Sequence, residues 1–315
     1  MPIATVGGID LSYETVGDPA DRPLLLVCGL GGQHVGWDPK FLERIAASGR
    51  YVVVYDHRDI GGSAHLTRLA RPNVAAAVAW RAAGVLPSAP YSLFDMARDA
   101  IALLDFLDLD RVDVAGQSMG GMIAQILAIE WPHRIRSLLS MSSTTGSWWA
   151  PWPHLRGLLP LLWPTPGDLD AQVEHMVWVM RKWAGDPSGI PFDEEGCRAS
   201  ARASLERSTY SEGIWRHLAA VFASPDRTEA LREVDLPAVV LHGDQDPIIP
   251  LGCGVATATA IPDARLIIIE GLGHSLPPQV WDTFIEALSD VSRRAEGWQP
   301  RSAVSEPDGS AAGTE

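Results

Sequence analysis

Short runs that are apolar without the every-other-residue polarity of a half-buried strand recur along this chain: residues 24–28 (LLLVC), 51–55 (YVVVY), 112–115, 137–141, 238–242 and 265–269. Such segments suit strands covered on both faces, the condition of a parallel sheet between two helix layers. Residues 11–16 read as a further strand, ended by Gly17, Asp18 and Pro19. Helical patterns fall between the runs, at 41–47, from a capping-box-like start at Ser92 to Asp95, at 119–129 and at 280–291. Strands that alternate with helices predict an α/β fold with right-handed crossovers.

The alternation breaks at 145–226. That stretch holds seven of the twelve tryptophans, among them Trp148, Trp149 and Trp178, with helical patterns at 172–183 and 195–207. It reads as a helical cap inserted into a core made of residues 1–144 and 227–295. Residues 64–90, rich in Ala, Arg and Pro, read as a loop or short helix near a pocket mouth. Residues 296–315 are small, polar and acidic and read as a disordered tail.

A net charge of −14 on 315 residues is the wrong sign for a nucleic-acid or anionic-lipid partner. No run of 18 apolar residues is present, so no membrane partner is expected, and MPIATVGGID lacks the features of a signal peptide, so the expectation is a cytoplasmic protein. Cys28, Cys197 and Cys253 are far apart, with no metal-binding spacing, and read as reduced thiols. The glycine-rich segments match neither GxxxxGK[ST] nor a GxGxxG that opens a helix. No metal and no cofactor are therefore expected, and the oligomeric state is open.

Gly116-Gln117-Ser118-Met119-Gly120 matches GxSxG between the strand VDVA and the apolar helix MGGMIAQILAIE. A strand-to-helix turn this sharp strains the serine backbone, needs small neighbours and presents the hydroxyl at the strand's carboxyl end. An alcohol needs a base to act as a nucleophile at neutral pH. His274, in Gly271-Leu-Gly-His-Ser-Leu-Pro after the last strand, is the candidate, while His34 and His57 read as orienting or lining groups. The base needs a carboxylate to fix its tautomer. Leu241-His-Gly-Asp-Gln-Asp-Pro offers Asp244 and Asp246, and the proline after Asp246, which forces it into an extended turn, favours Asp246. The order Ser118, Asp246, His274 differs from the chymotrypsin and subtilisin orders. Two backbone amides should form the oxyanion hole: Met119, after the nucleophile, and Leu30, in the loop Cys28-Gly29-Leu30-Gly31-Gly32. Gly29, Trp148, Trp149 and Trp178 are candidate substrate contacts.

Over residues 6–294 the chain resembles the α/β-hydrolase superfamily, through CGLGG, YDHRDIGGS, GQSMGGMIAQ, HGDQDPIIP and GLGHSLP. YDHRDIGGS and Ile190-Pro-Phe-Asp193 make it most similar to aclacinomycin methylesterases and related actinobacterial serine hydrolases. The resemblance implies the α/β-hydrolase fold, a mostly parallel eight-stranded sheet flanked by helices with an inserted helical cap. It also implies a serine esterase acting on a small hydrophobic ester, such as a bulky polyketide-type methyl ester or lactone. The same triad serves C–C bond hydrolysis, thioester release or cyclisation, acyl transfer and cofactor-free perhydrolysis in related enzymes. A non-catalytic binding role on this scaffold is the remaining alternative. Cys28-Gly29 departs from the HG or MG of many relatives, and residues 64–90 and 148–163 are longer than expected.

Overall fold

The computed structural model describes residues 1–148, 157, 160 and 167–298. Eight strands form one sheet: β1 (Ile3–Val6), β2 (Ile9–Val16), β3 (Arg22–Val27), β4 (Arg50–Tyr55), β5 (Val112–Gln117), β6 (Ile135–Met141), β7 (Ala238–Gly243) and β8 (Arg265–Ile269). Their spatial order is β1-β2-β4-β3-β5-β6-β7-β8, antiparallel at β1–β2 and β2–β4 and parallel from β4 to β8. The expected α/β-hydrolase sheet is therefore present. The strand that the apolar runs do not announce is β1. It pairs with β2 through Gly7 and Gly8, whose φ angles of 57° and 80° suit the tight turn that matches strand twist.

The central strands are buried as their composition requires, and β7 is buried at every position. The run 265–269 is different. Its strand β8 is the sheet edge, and Ile268 is half exposed although it is apolar. Composition alone does not separate an edge strand from a central one.

Helices α1 (Pro39–Ala47), α2 (Val74–Ala82), α3 (Leu93–Phe106) and α4 (Met119–Glu130) lie between the strands up to β6. Ser92 and Asp95 form a complete capping box at the start of α3. Residues 64–90 thus contain a helix, α2. Among the described residues, four helices lie between β6 and β7: α5 (Leu169–Trp183), α6 (Glu194–Arg207), α7 (Glu212–Phe222) and α8 (Thr228–Arg232). α9 (Leu251–Ala260) and α10 (Trp281–Glu296) complete the described elements. The sequence patterns do not announce α7, α8 and α9. α10 runs on to Glu296, and the Trp298 indole donates to the Asp235 carbonyl at 3.2 Å, so residues 296–298 are not part of a free tail. Residues 299–315 lie outside the described residues.

Two buried clusters sandwich the sheet, one built on α3 and α4, the other on α1 and α10. No helix among the described residues is long and apolar enough to cross a membrane.

Candidate active site

β5 ends at Gln117 and α4 begins at Met119, so Ser118 alone makes the turn. Its φ of 57° and ψ of −121° put a non-glycine residue in a costly region. The neighbours show how that strain is held. A β-carbon on Gly120 would stand 2.2 Å from the Val27 carbonyl oxygen, and one on Gly116 would stand 2.2 Å from that of Gly120. The Ser118 amide donates to the Met141 carbonyl at 2.9 Å, and Ser143 Oγ donates to the Ser118 carbonyl at 2.8 Å.

β3 pairs with β5, so the loop after β3 arrives beside this turn. Gly29 is so close that an added β-carbon would lie 3.4 Å from Ser118 Cβ. Among the described residues, neither the Leu30 nor the Met119 amide has an acceptor. Both are thus open to an incoming oxygen.

His274 follows β8 and Asp246 follows β7. His274 Nδ1 donates to Asp246 Oδ2 at 2.6 Å. The second carboxylate oxygen accepts from the amides of Ile248 and Ile249 at 2.9 and 2.8 Å. Burial pushes the Asp246 carboxyl up, but the charge and hydrogen bond of His274 and the Ile249 amide outweigh it. Its pKa therefore lies below the usual range. With Nδ1 donating, Nε2 of a neutral His274 is left to accept a proton. Asp244 plays a different part. Its Oδ1 accepts the Gly271 amide at 2.8 Å and so holds the histidine loop.

Ser118 and His274 line one cavity of about 910 Å³ between the sheet's carboxyl edge and α5–α7. Gly29 and Leu30 line it too, as do Met176, Met180 and Trp183 of α5, Phe192, and Trp215 of α7. Two of the tryptophan candidates do not. Trp148 is 36% exposed with the Arg81 guanidinium over its ring, and Trp178 stacks on His175 on another face of α5. Helical spacing separates them: Trp178 cannot face the same way as Met176, Val179, Met180 and Trp183. Trp149 lies outside the described residues. Among the described residues, Trp37, Trp183, Trp215 and Trp281 line the cavity, and Trp183 and Trp215 sit in the segment whose aromatic richness pointed to a pocket.

The segment YDHRDIGGS lies behind the site and carries interactions that its motif did not announce. Arg207 at the end of α6 donates to Gln33, Ser12 and Asp56, and Arg216 of α7 forms a two-point pair with Asp59 at 2.7 and 3.1 Å. His57 Nε2 donates to the Cys28 carbonyl at 3.0 Å, and His217 of α7 donates to the Arg58 carbonyl at 2.9 Å. Both rings are buried, which drives the His57 pKa down to about 4 and the His217 pKa down to about 3. Among the described residues no cluster of three or more His, Cys, Asp or Glu side chains could hold a metal ion.

Those two histidines make a pH prediction. The unfolded chain binds a proton on each near pH 6.5, while the folded protein keeps both neutral. Stability is full above that pH and falls as pH drops from about 6.5 to about 4, by about 1.4 kcal/mol per pH unit for each histidine. Unfolding midpoints in urea measured from pH 7 to pH 4 should show this slope. His57→Gln, which keeps a donor for Cys28, should flatten it by one proton. A stability that is level across this window would refute the assignment.

A family model described as the alpha/beta hydrolase fold matches residues 22–278. The chain belongs to the α/β hydrolase fold family. Rhodomycin D methylesterase DauP of Streptomyces sp. (strain C5) is 30% identical to this hydrolase over 311 residues, covering 91% of this chain and 96% of the relative. Rhodomycin D methylesterase DnrP of Streptomyces peucetius is 29% identical with the same coverage. The enol-lactonase of Burkholderia xenovorans LB400 superposes with a TM-score of 0.69 at 20% identity, over 92% of this chain and 99% of its own. That likeness is one of fold. The chain is an α/β-hydrolase-fold enzyme.

Proposed function

We propose that this enzyme hydrolyses a carboxylic ester through an acyl-enzyme on Ser118, with His274 as base and Asp246 as the orienting acid. The observation that carries the reading is that Ser118 and the Asp246-bonded His274 both line one large, mainly apolar cavity. His274 Nε2 takes the Ser118 proton as Oγ bonds to the ester carbon. The Leu30 and Met119 amides stabilise the oxyanion. Collapse breaks the bond to the alcohol oxygen, which leaves with the proton from His274. Water, deprotonated by His274, then attacks the acyl-enzyme and frees the acid and Ser118. Each step uses only the chain's own groups and water.

Residues 145–226 act in this reading as a cap whose α5, α6 and α7 set the substrate. The aromatic and methionine wall and the cavity volume suit a bulky apolar acyl group, and the two methylesterase relatives favour a polyketide-type methyl ester or lactone. The test is hydrolysis of p-nitrophenyl esters and of polycyclic aromatic methyl esters, followed by product analysis, with fluorophosphonate labelling of Ser118. Ser118→Ala should abolish labelling and lower kcat by about 10⁴-fold or more. Turnover unchanged in Ser118→Ala would sink the proposal.

A further inference from the structure

The C-terminal end of α5 does more than wall the cavity. It sits directly on the histidine loop. The Trp183 carbonyl accepts the His274 amide at 2.8 Å, and the Asp186 amide donates to the Gly271 carbonyl at 2.9 Å. The approach is so close that only glycine fits on both sides. A β-carbon on Gly273 would stand 2.1 Å from the Trp183 carbonyl oxygen, and one on Gly185 would stand 1.8 Å from that of Gly271. The Trp183 indole lies edge-on to the His274 ring, at 6.1 Å and 89°. Its Nε1 donates to the Gly157 carbonyl at 2.9 Å. Gly157 in turn is pressed against Pro247, the residue after Asp246: a β-carbon there would stand 2.5 Å from the Pro247 carbonyl oxygen. One residue outside the sheet therefore touches the histidine loop by backbone and ring, and reaches the acid turn through Gly157.

We propose that Trp183 is a positioning residue that acts through His274, so that α5 holds the base in register with its acid. The inference rests on His274 being the base. A histidine that is displaced by about 1 Å loses on the order of 10²-fold in rate, because proton transfer depends steeply on geometry. A residue that only lines the pocket would instead change binding.

The experiment uses the full chain, p-nitrophenyl acetate as an ester too small to span the cavity, and low-field proton NMR of the His274 Nδ1 hydrogen bond. Trp183→Ala is expected to lower kcat by about 10-fold or more with KM within about 3-fold, and to shift or broaden the low-field resonance. Trp183→Phe, which keeps a ring edge on the imidazole, should recover most of the loss. Gly185→Ala, which wedges α5 off the loop, carries the same readouts if Trp183→Ala fails to fold. The proposal is overturned if kcat holds and only KM rises, or if kcat falls while the resonance stays in place. His274→Ala separates the two levels. An inactive His274→Ala beside a fully active Trp183→Ala defeats only the positioning role. A fully active His274→Ala defeats the base assignment as well.

Discussion

Asp246→Asn should lower kcat by about 10⁴-fold with little change in the unfolding midpoint, whereas Asp244→Asn should cost less than about 10-fold. The two carboxylates are two residues apart and both brace the histidine loop, so composition does not distinguish them. Geometry does. Asp246 is 2% exposed and takes the His274 proton donor at 2.6 Å. An amide in its place can present its NH₂ to Nδ1, which selects the wrong imidazole tautomer and leaves the Ser118 proton without an acceptor. Asp244 accepts a backbone amide, and an asparagine carbonyl oxygen can do the same. Ester turnover and thermal unfolding of both variants measure the contrast. Equal losses would mean that neither carboxylate orients the base.

The second large effect concerns stability. Arg216→Met is expected to destabilise the fold by about 3–5 kcal/mol in denaturant titrations, because it strands the Asp59 carboxylate without its counter-charge. Arg216 is 1% exposed and Asp59 fully buried, and the pair closes α7 onto the loop after β4. The Asp59 carboxyl is held below its usual range: burial opposes this, but Arg216 and the Leu66 amide prevail. The exposed Arg202–Asp170 pair is the control, since Arg202→Met there should leave the unfolding midpoint nearly unchanged. A similar small cost for Arg216→Met would show that the Asp59 charge reaches water by another route. α7 would then not depend on the pair. The consequence reaches the site, because Ile214 of α7 packs against Gly31 beside the Leu30 amide.

Legibility in the sequence differs from element to element. Buried parallel strands announce themselves, because a strand covered on both faces has no polar side. The turn at Ser118 is equally legible, because its glycines are demanded by contacts under 3 Å that no other residue survives. The candidate histidine, His274, and its candidate acid, Asp246, follow β8 and β7, where the order of strands along the chain leads to them. The pocket wall is harder to read. Trp178 is as apolar as Trp183, and only the angular position on α5 decides which of them meets the cavity, while Trp148 lies outside any helix with Arg81 over its ring. The partnership of YDHRDIGGS with Arg207 and Arg216 joins residues about 150 positions apart, and no local pattern encodes such a contact. β8 reads as central because isoleucine fills edge strands and central ones alike.

The Arg227 amide donates to the Thr145 carbonyl at 2.9 Å, and its buried guanidinium donates to the Thr144 carbonyl at 2.8 Å. The chain therefore leaves the sheet and comes back to it at one point, after an excursion of about eighty residues. Closing a long loop costs little more than closing a short one, since the entropy grows only with the logarithm of length. To the sheet, such an excursion is a cassette with a fixed socket. Its length and contents can be exchanged while Ser118, Asp246 and His274 stay at their strand ends, provided that the exchange keeps the counter-charges of Asp56 and Asp59 and what must still reach the histidine loop from the end of α5.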